Sequence, residues 1–211
     1  MMKKTVLFML VVFCAAAQMN LTAQTGNGKI LVVYFSMPES EEVNRTDTVS
    51  GASRLSVNGS ISGNLQFVAG IIHRSVGGDL VRIETAQSYP ATHTPLLNQA
   101  QAEKNRNARP RLASRIENIG DYDTIFLGYP IWWYDLPMPL YSFLEQYDLS
   151  GKTIIPFVVH GGSGFSGTVE TITRLQPNAA VSGNGLAISR NTVGRSENDI
   201  TAWTRRLGMA R

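Results

Sequence analysis

The feature that most constrains the fold is an alternation. Apolar runs of strand length recur along the chain, and stretches with helical spacing separate them. The runs are residues 30–35, "DLVRIET" from Asp79, "YDTIFLGYP" from Tyr122, "GKTIIPFVVH" from Gly151, and one ending in "GLAIS" at Ser189. The stretch "NLQFVAGIIHRSVGG" places Leu65, Val68, Ala69, Ile72 and Val76 on one helical stripe, closed by Gly77 and Gly78. Residues 95–105 are polar but helix-capable. "PMPLYSFLEQY" carries its prolines in the first turn, where a missing N–H costs least, and helices over 168–175 and 196–207 complete five β/α units. This order predicts an α/β domain with a doubly wound, five-stranded parallel sheet and helices on both faces. In such sheets ligands bind beyond the carboxyl ends of the strands. The informative loops are therefore those after strands one, three and four.

At 211 residues the chain suits one well-packed domain, and 43% hydrophobic with 17% charged residues is ordinary globular composition. Its first residues are different in kind. Lys3 and Lys4 precede an apolar run over 6–17, followed by small and polar residues to Gln24. That layout predicts a signal peptide over 1–23, cleaved after Ala23 in preference to Ala17, and a run too short to span a bilayer. The expectation is an exported, periplasmic protein comprising a single domain over 24–211, with no membrane span after cleavage. Cys14 is the only cysteine and follows Phe13, where a lipoprotein signal would have a small residue, so lipidation is the weaker reading. Cleavage leaves no cysteine for a disulfide, a metal or a thiol nucleophile. Of the 19 basic residues two lie in this segment, and the rest nearly balance the 16 acidic ones. With no basic stripe, nucleic acid is not an expected partner.

Two of the three loops carry a chemical signal. "GYPIWWYDLP" sets aromatic residues at a strand end, where a soluble domain normally has polar turn residues. Aromatic faces at a pocket mouth suit a flat conjugated ligand, although at least one of Trp132 and Trp133 is expected to point into the core. "HGGSGFSG" has Gly161, Gly162, Gly164 and Gly167, which let backbone N–H groups approach acceptor atoms. A serine-hydrolase elbow is excluded, because with Ser163 central the required glycines would fall on Gly161 and Phe165. His73, His93 and His160 are too scattered for a metal site. Of these, His160 has the best claim to function, because it ends strand four. Tyr89–Pro90 and Arg109–Pro110 could line the pocket or form structural turns, and Glu39, Glu41 and Glu42 read as a solvated loop.

These motifs resemble the flavodoxin family, and more closely a branch with a "GYPIWW" loop after strand three and an "HGGSG" loop after strand four. The similarity runs from Lys29 nearly to the C-terminus. It implies strand order 2-1-3-4-5 and non-covalent FMN. By resemblance, Pro130, Ile131, Trp132 and Trp133 would lie at the isoalloxazine, and the backbone of His160, Gly161, Gly162, Ser163, Gly164 and Phe165 at its polar edge.

The loop after strand one departs from the pattern. Similar proteins run from "YFS" within a few residues into a Gly-Asn-Thr turn and the first helix. Here "YFS" ends at Ser36, and "SGNL" follows only at 62–65. The phosphate loop is split by an insertion at about 37–62, with a hairpin expected around "SVNGSI". Ser36 and Met37 would form one side, Gly63 and Asn64 the other, with the positive end of the helix behind them. Leu65 stands where relatives carry a phosphate-binding Thr, and Ser50, Ser53 or Ser60 could replace that donor. The functional expectation is an FMN-binding electron carrier or FMN-dependent quinone or nitro-compound reductase, with a redox protein or small-molecule acceptor as partner. Any NAD(P)H would bind transiently at the flavin face. The alternative is an exported binding module that kept the fold and lost or changed its flavin.

Overall fold

The structure, a computed structural model, describes residues 28–37, 53–57 and 60–211. The expected signal segment with Cys14, and Ser50 and the three loop glutamates, lie outside the described residues.

The central strand β1 (Lys29–Tyr34) pairs in parallel with β4 (Asp79–Arg82) on one side and β5 (Tyr122–Pro130) on the other. β5 pairs with β6 (Thr153–His160), and β6 carries β7 (Ala180–Val181) and β8 (Leu186–Ser189) on its far edge. The order β4-β1-β5-β6-β7 is the expected 2-1-3-4-5 arrangement. The expected fifth strand is divided in two, and Pro156 explains the division. In the β6 ladder toward that edge, Ile154 O accepts from Ser182 N at 2.8 Å and His160 O from Arg190 N at 2.9 Å. Position 156 faces the same edge, but proline has no N–H to donate there.

Alternation along the strands builds two cores. Leu31, Val33 and Phe35 meet Ile125, Leu127 and Tyr129 on one face, covered by Leu96 of α2 (His93–Asn105), Leu140 and Phe143 of α3 (Met138–Gln146) and Ile172 of α4 (Thr168–Leu175). Val32, Phe126, Ile155 and Phe157 form the other face, covered by α1 (Asn64–Val76) and by Ile200 and Trp203 of α5 (Glu197–Arg206). The buried residues of α1 include the whole predicted stripe, Leu65 to Val76.

The end of the insertion folds as the expected hairpin. β2 (Arg54–Val57) and β3 (Ser60–Gly63) pair antiparallel, and the chain enters α1 directly from β3. Leu55 packs with the α1/α5 core, so the hairpin is fastened beside the first turn of α1. Among the described residues no helix is long and apolar enough to cross a membrane.

Gly128 in β5 shows how closely the sheet packs, since a methyl group there would run into the ring of Phe157. Gly128→Ala is expected to destabilise the fold by about 1–3 kcal/mol, read as a lower urea midpoint. Phe157→Leu in the same chain should recover part of the loss.

Candidate functional site

The carboxyl ends of β5, β6 and β8 open onto one cleft. Its wider part is a cavity of about 490 Å³, walled by Ile131, Trp132, Trp133 and Tyr134 from the loop after β5, and by Gly161, Gly162 and Ser163 from the loop after β6. Leu96, Leu97 and Ala100 of α2 close one side and Arg190 another. A narrower pocket of about 50 Å³ runs to the start of α1, between Ser53, Asn64, Leu65, Pro130, His160 and Arg190. Ile131, Trp132, Gly161 and Arg190 belong to both, which makes one continuous site.

The aromatic loop is held by a tight turn. Trp132 N donates to Asp135 O at 3.1 Å and Asp135 N to Trp132 O at 3.0 Å. Trp133 and Tyr134 between them have φ of 50° and 62°. Two positive φ values in succession define a type I′ turn, normally built from Asn and Gly, and bulky residues occupy that region at a cost. The surroundings hold the turn in place. Trp133 Nε1 donates to Leu97 O at 3.1 Å and Lys104 Nζ to Trp133 O at 2.6 Å. Asp135 Oδ1 accepts from Leu136 N at 2.8 Å and from Tyr141 OH at 2.9 Å. Burial, together with that bond to Asp135, pushes the Tyr141 hydroxyl up to about 12.

The two tryptophans divide as the sequence suggests. Trp132 stacks edge-on against Phe35 (5.4 Å between centroids) and Tyr89 (5.6 Å), at the rim of the core. Trp133 is 41% exposed and presents its ring to the cleft. Tyr89 is therefore a support for the aromatic wall, with its hydroxyl donating to the buried Glu103 at 2.5 Å. Arg109 instead joins Glu145 at 2.7 Å and lies over the Tyr141 ring, on the outer surface.

In the glycine loop, His160 Nδ1 accepts from Gly162 N at 2.9 Å. The bond requires an unprotonated Nδ1, so in the neutral ring the proton sits on Nε2. Gly162 has φ of 135°, a conformation that a side chain rarely adopts. Burial holds the imidazole below its ordinary pKa. Phe165 points away toward the core, and its carbonyl accepts from the buried Thr168 hydroxyl at 2.5 Å.

At the start of α1, Asn64 N donates to Ser53 O at 2.7 Å, and Gly63 N reaches Gln66 Oε1 at 3.4 Å. Ser36 Oγ is buried and has no hydrogen-bond partner among the described residues. It faces Gly63 so closely that any side chain at that position would collide with it. Ser36, Met37, Gly63, Gly164 and Phe165 thus stand behind the cleft lining, while the other expected residues form it. Sequence reasoning passed over Arg190, which directly follows the predicted strand end "LAIS". It also passed over the Leu96, Leu97 and Ala100 patch, an apolar i, i+1, i+4 spacing in an otherwise polar helix. Tyr134 and Val159, beside residues that were selected, complete the lining.

A family model described as flavodoxin matches residues 54–207, from the hairpin to the end of α5. The chain belongs to the flavodoxin family. A candidate flavoprotein from Bacteroides eggerthii superposes with a TM-score of 0.62 at 29% identity, covering 86% of this chain and 99% of that one. A second from Bacteroides uniformis has a TM-score of 0.62 at 25% identity, over 84% and 98%. A flavoprotein solved in complex with FMN from Lactobacillus acidophilus shares the fold, with a TM-score of 0.57 at 16% identity over 81% and 99%. Comparison with curated proteins finds no match. In this flavodoxin-family chain the matched span runs from the first residue of β2 past the end of α5.

Two outcomes are expected. Tyr134 is 75% exposed, so Tyr134→Gly relieves turn strain with little loss of packing and should stabilise the protein by about 1 kcal/mol, read in thermal melts. For His160, the folded state holds the pKa below the ordinary 6.5, so between those values the unfolded chain binds more protons. Its stability contribution is full above about pH 6.5 and falls as pH drops through that window; His160→Gln should flatten this part of the pH–stability profile.

Proposed function

We propose that this flavodoxin-family protein binds FMN in the cleft and serves as a redox protein, either an electron carrier or an FMN-dependent oxidoreductase. The observation that carries this reading is the continuity of the site. An aromatic-walled cavity of about 490 Å³, within the usual size of a cofactor site, leads into a narrow pocket at the N-terminus of a long helix. The relative from Lactobacillus acidophilus, solved with FMN, supports the cofactor assignment by its fold. When bound, FMN supplies one- and two-electron redox chemistry. The protein's own groups bind and orient it. Trp133 would offer a stacking face, backbone N–H groups of the glycine loop would offer donors to the ligand's acceptor atoms, and His160, in the wall of the narrow pocket, would offer its Nε2–H. The Ser36 hydroxyl, buried without a partner among the described residues, would offer a donor to a phosphate oxygen. The export reading from residues 1–23 joins this proposal and makes the partner an extracytoplasmic donor or acceptor.

One observation favours the second reading, a fold that has given up its flavin. Ser53 O already takes the Asn64 N–H that a phosphate would use at the helix start.

A visible absorbance spectrum after incubation with FMN and desalting decides between them. Retained flavin supports the proposal, and an NAD(P)H oxidation assay then separates enzyme from carrier. A colourless protein with no thermal shift on adding FMN overturns it. Trp133→Ala should weaken FMN up to about tenfold, from a stacking contribution of about 0.5–1.5 kcal/mol, measured by flavin fluorescence quenching. Trp132→Ala should act on stability instead, through Phe35 and Tyr89.

A further inference from the structure

Beside the first turn of α1, three side chains bury polar atoms that have no partner among the described residues: Ser36 Oγ, Arg54 Nε and Nη1, and Arg82 Nε. Every one of these atoms can donate a hydrogen bond. Ser36 is 2% exposed and Arg54 8%. Their positions converge. Arg54 stands directly opposite Gly63 in the hairpin, and directly opposed residues of an antiparallel pair project from the same face. A side chain on Gly63 would meet Ser36 Oγ, so Arg54 leaves the hairpin on the face where that hydroxyl lies. Arg82 reaches the same residue from β4, its Nη2 donating to Ser36 O at 2.8 Å. Neither arginine forms a salt bridge with a described residue. The first turn of α1 has no acidic residue, so its dipole adds positive potential.

Guanidinium nitrogens buried with neither a counter-charge nor an acceptor among the described residues, as Arg54 Nε and Nη1 are, are costly to fold around. Two guanidinium groups and a hydroxyl that can donate are complementary to an anion with several acceptor oxygens, and the guanidinium fork matches phosphate geometry. We propose that Arg54, delivered by the inserted hairpin, together with Arg82 and Ser36, forms a cationic site for a phosphate monoester dianion. This site replaces the side-chain donor that Leu65 cannot supply and the Asn64 N–H that Ser53 O already occupies. It rests on the FMN reading for the identity of the rest of the ligand. The anion preference follows from the cluster itself. The insertion is then the part of the chain that makes the site select a phosphorylated flavin over riboflavin, through charge and hence in a salt-dependent way.

The test is calorimetric titration of FMN, riboflavin and inorganic phosphate into the wild type, Arg54→Met and Arg54→Lys at low and high salt, with the Tm of each unliganded protein. Arg54→Met is expected to weaken FMN and inorganic phosphate about tenfold to a hundredfold, leave riboflavin unchanged and reduce the salt dependence. Arg54→Lys should keep the charge, lose the fork and fall between. The unliganded Arg54→Met protein should melt at or above the wild type, by up to about 2–4 °C, because an uncompensated buried charge is gone. An unchanged FMN-to-riboflavin ratio in a wild type that binds FMN overturns the proposal and leaves the FMN reading standing. If Arg54→Met does not fold, the ratio is read on Arg54→Lys. A wild type that binds inorganic phosphate through Arg54 but neither flavin supports the anion site and overturns the FMN reading.

Discussion

The parallel pairing of β1 with β5 is the interaction on which the rest depends. Its register, Leu31 to Ile125 through Tyr34 to Gly128, buries both strands on both faces. A slip of one residue would exchange the two faces and set every side chain against the wrong helices. Since both strands end at the same edge, the chain beyond Ser36 and the loop beyond Pro130 emerge side by side. Phe35 N donates to Gly128 O at 2.9 Å and closes the ladder where the site begins. β6, locked to β5 up to Val159, brings the glycine loop to the same edge. The cleft is a consequence of this register, because no loop reaches it independently.

The insertion alters the chemistry of one end of that cleft without altering the sheet. The chain enters α1 from a hairpin rather than from β1. Where the hairpin begins, Ser53 brings a carbonyl to the helix start, and Arg54, the first residue of β2, stands opposite Gly63 beside it. In the proposed anion site, side chains rather than this backbone N–H would provide the donors. The two features are adjacent, since the residue whose carbonyl takes the N–H directly precedes the arginine.

At the other end, the Trp132–Asp135 turn stores strain in two aromatic residues at positive φ. Lys104, Leu97 O, Asp135 and Tyr141 hold it, and all but the turn's own aspartate come from α2 and α3. The result is a division of labour between neighbouring rings. Trp132 is packed edge-on into the core rim, and Trp133 is turned outward by a backbone conformation that few sequences of this kind would adopt unaided. Strain of this sort persists where surrounding structure over-determines it, which is common at ligand sites.

Much of this was legible in the residues. Periodicity alone placed the strands, the α1 stripe and the loops that converge, because hydrophobic spacing reports which face an element buries. The aromatic and glycine motifs pointed to the walls of the cleft, and the split phosphate loop was visible as the distance between "YFS" and "SGNL". The break in the last strand was not, since it depends on Pro156 of a neighbouring strand facing that edge. Nor was the burial of Arg54, a charged residue within a polar insertion, since it follows from the pairing opposite Gly63 and the packing of the hairpin on the fold. The positive φ of Trp133 and Tyr134 likewise has no local signal, since their types argue against it. The sequence by itself determined which segments are buried and which loops share an edge, because those follow from local spacing. The tertiary structure alone decided which polar groups are stranded without partners, because that depends on what packs across the fold.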